Sequence, residues 1–216
     1  TLSRLEGEKK IQGFYQILSL TATFIAPCFI GLAAVADPLV QITFGGTYAA
    51  SAFLLQILCA AIVPSLAAWY LPNLLISIGA TSMALKLKIY SITRSLGVAL
   101  IFVWFGIELM VVMQTIVTFI VVPFQVRLAK KVVNLDIKTL IAQVLPATVS
   151  SILMFASISL AKLVLPGSLN ELATLVILIL IGISAYAFFL LTFFSKSVSN
   201  VLHVFKTFRG NTKKKR

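Results

Sequence analysis

Six stretches of this sequence run for many residues without Asp, Glu, Lys or Arg, and they constrain the fold more than any other feature. They lie between Lys10 and Asp37, Asp37 and Lys86, Arg94 and Glu108, Glu108 and Arg127, Lys138 and Lys162, and Glu171 and Lys196. A helix needs roughly 20 apolar residues to cross a bilayer, where it pairs its backbone groups internally. The pattern therefore predicts six membrane-spanning helices: Phe14–Ala36, Ala52–Ile78, Ile89–Phe105, Leu109–Val126, Thr139–Ala161 and Leu172–Phe194.

The composition indicates the same class of protein. Apolar residues make up 60% of the chain and charged residues only 11%, whereas a soluble domain carries about 25% charged residues. We expect an all-α fold, a polytopic transmembrane helical bundle. The third span fits this scheme if Arg94 lies near its end and extends its guanidinium toward the headgroups.

The predicted spans divide the chain into three parts. Residues 1–13 form a cytoplasmic segment, residues 14–194 the six-span domain, and residues 195–216 a basic cytoplasmic tail. Apolar residues recur at helical spacing in this tail, which predicts an amphipathic helix lying on the membrane surface. They are Val198, Val201, Leu202, Phe205 and Phe208.

The positions of the basic residues predict the orientation in the membrane, because Lys and Arg near span ends are retained on the cytoplasmic side. Six spans place both chain ends and all but one of the 18 basic residues on one side. The exception is Lys162, which shares the outer side with Asp37, Glu108 and Glu171. We expect a multi-pass protein of the cell inner (cytoplasmic) membrane with both ends cytoplasmic. Its net charge of +12 then reflects attraction to anionic lipid and not nucleic-acid binding.

Few residues in this sequence are of the types that catalyse reactions or bind metal ions. Cys28 and Cys59 lie in apolar spans without a CxxC pair, and His203 lies alone in the basic tail. We therefore predict no catalytic residue, no metal site, no cofactor-binding residue and no enzyme activity. The predicted spans carry no charge near their centres, which leaves amides as their strongest polar groups.

The intramembrane amides are Gln56, Asn73, Gln114 and Gln143. Asn73, Gln114 and Gln143 are candidates to line a hydrated cavity, and hydrogen bonding between helices is the alternative role for each.

The prolines within the predicted spans indicate where those helices are expected to bend. Pro27, Pro64, Pro72, Pro123 and Pro146 fall inside the predicted spans, where each removes a backbone donor and favours a kink.

The outer connection, residues 37–51, reads DPLVQITFGGTYAAS. It predicts a turn at Asp37–Pro38, a reversal at Gly45–Gly46 and a cap from Thr47 or Ser51 on the next helix.

The order of several segments resembles a known family. They are LSRLEGEKK, APCFIGLAAVADPLVQITFGGTY, LLQIL, LLISIGATSMALKLKI, a span pair broken at Gly106, and VLPATVSSILM. Together they resemble the later half of bacterial polysaccharide flippases of the multidrug/oligosaccharidyl-lipid/polysaccharide exporter superfamily. Where members often show Phe-Gly-x-Lys-Trp, this chain has Phe44, Gly45, Gly46, Thr47 and Tyr48.

The resemblance implies a function. Such flippases move lipid-linked oligosaccharide, a polyprenyl-diphosphate sugar, across the cytoplasmic membrane for synthesis of cell-surface polysaccharide such as lipopolysaccharide or exopolysaccharide. The chain then corresponds to helices nine to fourteen of about fourteen, or to a fragmentary gene product. Cations that balance the diphosphate would come from the missing N-terminal helices, and the last two spans could help form a groove for the lipid tail.

Three other functions stay open at this stage. They are a multidrug or small-molecule exporter of the same superfamily, a polytopic membrane enzyme, and a scaffold of polysaccharide assembly.

Overall fold

A computed structural model describes residues 2–133, 135–165 and 170–193. The described residues form helices and no strand, so the all-α polytopic bundle is confirmed. The helices are α1 (Leu2–Ala34), α2 (Ala36–Phe44), α3 (Ala49–Ala60), α4 (Ile62–Ser77), α5 (Thr81–Phe102), α6 (Ile107–Lys130), α7 (Ile137–Val164) and α8 (Glu171–Phe193), with short 3-10 turns at Gly46–Tyr48 and Val103–Phe105. The expected tail helix and His203 lie outside the described residues.

Five of these helices are each long and apolar enough to cross a membrane: α1, α5 with its 3-10 extension, α6, α7 and α8. The sixth span is a bent pair, in which α3 and α4 meet at 47°. The bend at Ala61 follows from Pro64, because a proline ring clashes with the carbonyl four residues earlier and offers no donor to it. A kink in this span is therefore confirmed, and six spans result when the pair is counted as one.

The other four prolines of the predicted spans lie inside helices that continue past them. Pro27 lies in α1, Pro72 in α4, Pro123 in α6 and Pro146 in α7. None of these prolines interrupts its helix in the way that the break between α3 and α4 does.

The outer connection differs from its prediction. Asp37 and Pro38 do not form a turn but lie in the first turn of α2, where proline needs no hydrogen-bond donor and a carboxylate favours the helix dipole. The chain reverses at Gly45, whose φ of 76° suits glycine, whereas Gly46 begins the 3-10 turn. Neither Thr47 nor Ser51 caps α3, whose N-cap residue is Tyr48 without a side-chain hydrogen bond.

Contacts between distant residues show how the helix ends are grouped. At one end, which we call the basic end, Lys10 Nζ donates to the Ser77 carbonyl at 2.9 Å and the Tyr15 hydroxyl accepts from the Asp136 N–H at 2.9 Å. At the opposite end, which we call the acidic end, Lys162 pairs with Asp37 at 3.2 Å. Successive spans therefore alternate in direction.

Asp136 begins α7 at the basic end. Hydrogen bonds from the Thr139 hydroxyl and the Lys138 backbone N–H hold the pKa of Asp136 below its ordinary value. Its carboxylate caps the helix because it satisfies backbone donors that have no partner within the helix.

The most extensive helix pair is α1 with α7. Both helices bury small residues: Ala22 and Ala26 in α1, and Ala147, Ser150 and Ser151 in α7. Small side chains let two membrane helices approach closely, and this approach supplies the packing contacts that hydrophobicity cannot supply within lipid.

Enlarging one of these residues tests the importance of close packing. We expect Ala26→Leu to lower the free energy of unfolding by about 1–3 kcal/mol, because Ala26 is 0% exposed and the added volume has no space. Unfolding by SDS in mixed micelles measures the change. Ala156→Leu in α7 is the matched control at an exposed position and should change it by less than about 0.5 kcal/mol. An equal effect of both variants would contradict the packing argument.

Candidate functional site

A cavity of about 830 Å³ opens between α4, α5 and α6. The helices contribute apolar and polar side chains to its wall. The polar ones are Ser65, Asn73, Thr81, Lys88, Ser91, Arg94, Gln114, Thr118 and Gln125. Within a membrane domain, such a concentration of polar groups on one concave surface favours water or a polar ligand over lipid.

The local sequence explains how these helices enclose a cavity. The α3–α4 bend sets α4 at 47° to α3. On the other side, α5 and α6 form an antiparallel hairpin whose reversal at Gly106 has a φ of 101°, which favours glycine.

Pro72 in α4 leaves one backbone carbonyl beside the cavity without its usual helical donor. It lacks an N–H, so the Ala68 carbonyl has no donor at the usual helical position. Both residues line the cavity. A backbone acceptor in this position can bind water or a hydroxyl group.

Arg94 is the central charged group of this wall. It lies well inside α5 and donates from Nη1 to the Thr118 hydroxyl at 3.2 Å. The Thr118 hydroxyl in turn donates to the Gln114 carbonyl at 2.8 Å, and the Gln114 amide donates to the Ser95 hydroxyl at 2.8 Å. These hydrogen bonds hold α5 against α6 and orient the Arg94 side chain along the cavity wall.

The environment of Arg94 differs from the sequence prediction, because its guanidinium turns toward α6 and not toward the headgroups. Arg94 was expected near the end of the third span, and the spans were expected to hold no charge near their centres. The helix instead begins at Thr81, eight residues before the predicted start at Ile89. Because Lys86 and Lys88 belong to the same helix, Arg94 lies about midway along it and turns toward α6 instead of the headgroups.

Arg94 donates a hydrogen bond to a neutral hydroxyl but has no carboxylate partner among the described residues. Its Nε is buried and has no hydrogen-bond partner among the described residues. The ion pair found within the described ranges joins Lys162 to Asp37 at the acidic end, far along the chain from this cavity. A cation held away from bulk water without a counter-charge is costly, so water or an anion in the cavity would stabilise it.

The amides predicted from the sequence have separate locations. Asn73 and Gln114 both line the cavity, on α4 and α6, whereas Gln143 lies on α7 and is not part of its wall. Gln56 donates to the Asp37 carboxylate at 3.3 Å, at the acidic end. The structure therefore brings two of the three candidates together.

Sequence reasoning missed Arg94 and Gln125 as wall residues. Gln125 is only 6% exposed and lines the cavity from α6. A usable signal for Arg94 was Gly79, a helix terminator two residues before Thr81, whose φ is 86°. If the helix is taken to begin after Gly79, and not after Lys88, Arg94 lies near the middle of the helix.

A second concave surface, which we call the apolar groove, lies between α1, α7 and α8. Its volume is about 640 Å³, and its lining is almost wholly apolar. A groove at the last two spans was expected by analogy alone, and the observed groove has α1 as a third wall.

Comparisons with known proteins supply no assignment. No protein-family model, no curated protein and no solved structure matches this chain. We therefore infer the function from the geometry of the cavity and from the residues that line it.

Whether the cavity holds water can be tested by cysteine labelling. In a variant with both native cysteines replaced by serine, we expect Ser91→Cys to react with a water-soluble maleimide at least about tenfold faster than Phe119→Cys, because a thiol reacts as the thiolate, which forms in water. Ser91 lines the cavity, whereas Phe119 is an exposed residue of α6 outside it. Equal, slow labelling at both positions in lipid nanodiscs would show a dry cavity.

Proposed function

We propose that this chain forms part of a membrane transporter that moves lipid-linked oligosaccharide, a polyprenyl-diphosphate sugar, across the cytoplasmic membrane for cell-surface polysaccharide synthesis. The observation that carries the proposal is Arg94, a cation midway along a membrane span and on the wall of a polar cavity. Intramembrane charges of this kind commonly mark a substrate pathway.

The chemistry of the cavity suits such a cargo. A diphosphate needs cations, and Arg94 and Lys88 both line the cavity. Sugar hydroxyls need donors and acceptors, which Asn73, Gln114 and Gln125 provide on the same wall. A cargo of this type must shed part of its hydration to cross, and these groups would replace the lost hydrogen bonds.

The apolar groove offers a surface for the other part of the cargo. A polyprenyl tail stays in the hydrocarbon while the head crosses, and the groove between α1, α7 and α8 presents apolar side chains along the spans. In this proposal the head group occupies the polar cavity, and the tail follows the groove or the surrounding lipid.

A complete transporter needs further parts and a defined orientation. In this proposal a second set of transmembrane helices of the same protein faces the open side of the cavity, which allows alternating access. The basic end faces the cytoplasm and anionic lipid, because lysines are retained on that side during insertion.

The cavity favours this function over export of cationic drugs. Binding of a cation calls for a carboxylate, and no Asp or Glu is found among the described residues that line the cavity. They include Arg94 and Lys88, which would repel a cationic cargo and attract an anionic one.

Transport in cells tests the proposal. We expect Arg94→Gln in the full-length protein to lower transport by about 10- to 100-fold, because a hydrogen bond to a charged group contributes about 1.5–3 kcal/mol. Lipid-linked sugar should then accumulate on the inner leaflet, where extraction and chromatography measure it. Arg94→Lys should keep part of the activity, since it keeps the charge and loses the guanidinium geometry.

The matched control is Arg127→Gln, which removes the same charge at an exposed position near the end of α6. It should leave transport near the unaltered level. Normal transport by Arg94→Gln at equal protein abundance would contradict the proposal. Deletion that leaves lipid-linked sugar unchanged but sensitises cells to cationic drugs would favour an exporter instead.

A further inference from the structure

α1 contains a backbone acceptor that its own helix cannot satisfy. Pro27 lies inside α1 and has no N–H, so the carbonyl of Thr23, four residues earlier, lacks its usual donor. In a membrane span no bulk water is present to replace that bond. Such a site needs a donor from another element of the protein.

The donor comes from α8. The Tyr186 hydroxyl donates to the Thr23 carbonyl at 2.7 Å, across 163 positions of the chain. Both residues are partly buried. The side chain of one span therefore completes the hydrogen bonding of another, at the proline where α1 is able to bend.

This hydrogen bond spans the apolar groove. Thr23, Pro27 and Cys28 line the groove from α1, and Tyr186 lines it from α8. Elsewhere α1 and α8 contact each other little, whereas both pack extensively on α7. The hydrogen bond of Tyr186 thus links α1 and α8 directly, whereas most of their other packing is against α7.

The packing on α7 is close on both sides of the groove. A Cβ on Gly31 of α1 would lie 3.3 Å from Met154 Cε, and one on Gly182 of α8 would lie 2.9 Å from Ile158 Cδ1. Both helices are therefore seated on α7 through glycines. The segment of α1 around Pro27 contains the Thr23 carbonyl, which α1 itself cannot satisfy, so we expect motion there when the hydrogen bond from Tyr186 is lost.

We propose that Pro27 is a hinge in α1 and that Tyr186 is the latch that holds it. With the latch formed, the Thr23 carbonyl is satisfied and α1 keeps the observed path along the groove. With the latch released, the Thr23 carbonyl takes a water molecule, α1 bends at Pro27, and the groove opens to water. The position of α8 thereby controls the shape of α1, whatever cargo the protein carries.

The chain provides its own probes. Cys28 follows the hinge, lines the groove and is exposed, whereas Cys59 is buried at 2% exposure. In nanodiscs of phosphatidylethanolamine and phosphatidylglycerol, the alkylation rate of Cys28 by a water-soluble maleimide reports water in the groove. The rate at Cys59 in the same molecule reports general loosening of the fold.

We expect Tyr186→Phe to raise the rate at Cys28 by about three- to tenfold, the range given by the loss of one intramembrane hydrogen bond, with the rate at Cys59 unchanged. In the Pro27→Ala background the same substitution should have little effect, because the alanine restores a backbone N–H that satisfies the Thr23 carbonyl, and the hinge is gone. This double-mutant comparison separates a latch from a simple packing role.

Tyr70→Phe is the matched control. The Tyr70 hydroxyl also contacts α1, but it is bonded to the Thr21 side chain at 3.1 Å and not to a carbonyl freed by proline. It should leave the rate at Cys28 unchanged. The proposal is overturned if Tyr186→Phe has no effect, acts equally in both backgrounds, raises the rates at Cys28 and Cys59 together, or is matched by Tyr70→Phe.

Discussion

In the hydrocarbon core of a membrane an unpaired polar group is costly, and the requirement to pair such groups explains the main features of the structure. Where Pro27 leaves the Thr23 carbonyl unpaired, Tyr186 of α8 supplies the donor. Where α5 carries Arg94 into the membrane, Thr118 of α6 accepts its hydrogen bond. The tertiary contacts between spans are thus partly determined by the polar groups that each span cannot satisfy alone.

The same requirement separates two concave surfaces of opposite character. The polar groups of α4, α5 and α6 converge on one cavity, whereas α1, α7 and α8 enclose a groove with almost no polar lining. α1 packs against both α4 and α7, so a change of shape in α1 affects the helices beside either surface. An amphiphilic cargo with a charged head and an apolar tail would find both environments within one bundle.

Much of the fold could be predicted from the sequence, because gaps between charged residues mark spans and small residues permit close packing. The same rule predicted a start for the third helix that lies eight residues too late. Charges were taken as the limits of spans, whereas α5 begins at Thr81 and carries Lys86, Lys88 and Arg94 along one helix. The expected turn at Asp37–Pro38 was wrong because both residues also suit the first turn of a helix. The contact of Tyr186 with Thr23 depends on how distant spans pack, which periodicity in one sequence does not encode.

We infer that Arg94 lies inside the membrane domain in contact with a hydrated cavity. Water-edited solid-state NMR of the protein in lipid, with ¹⁵N-labelled arginine and the signal assigned by Arg94→Lys, measures it directly. We expect rapid magnetisation transfer from water to the Arg94 guanidinium, close to that of the exposed Arg127, and weak transfer from lipid acyl chains. Strong acyl-chain transfer with little transfer from water would contradict it.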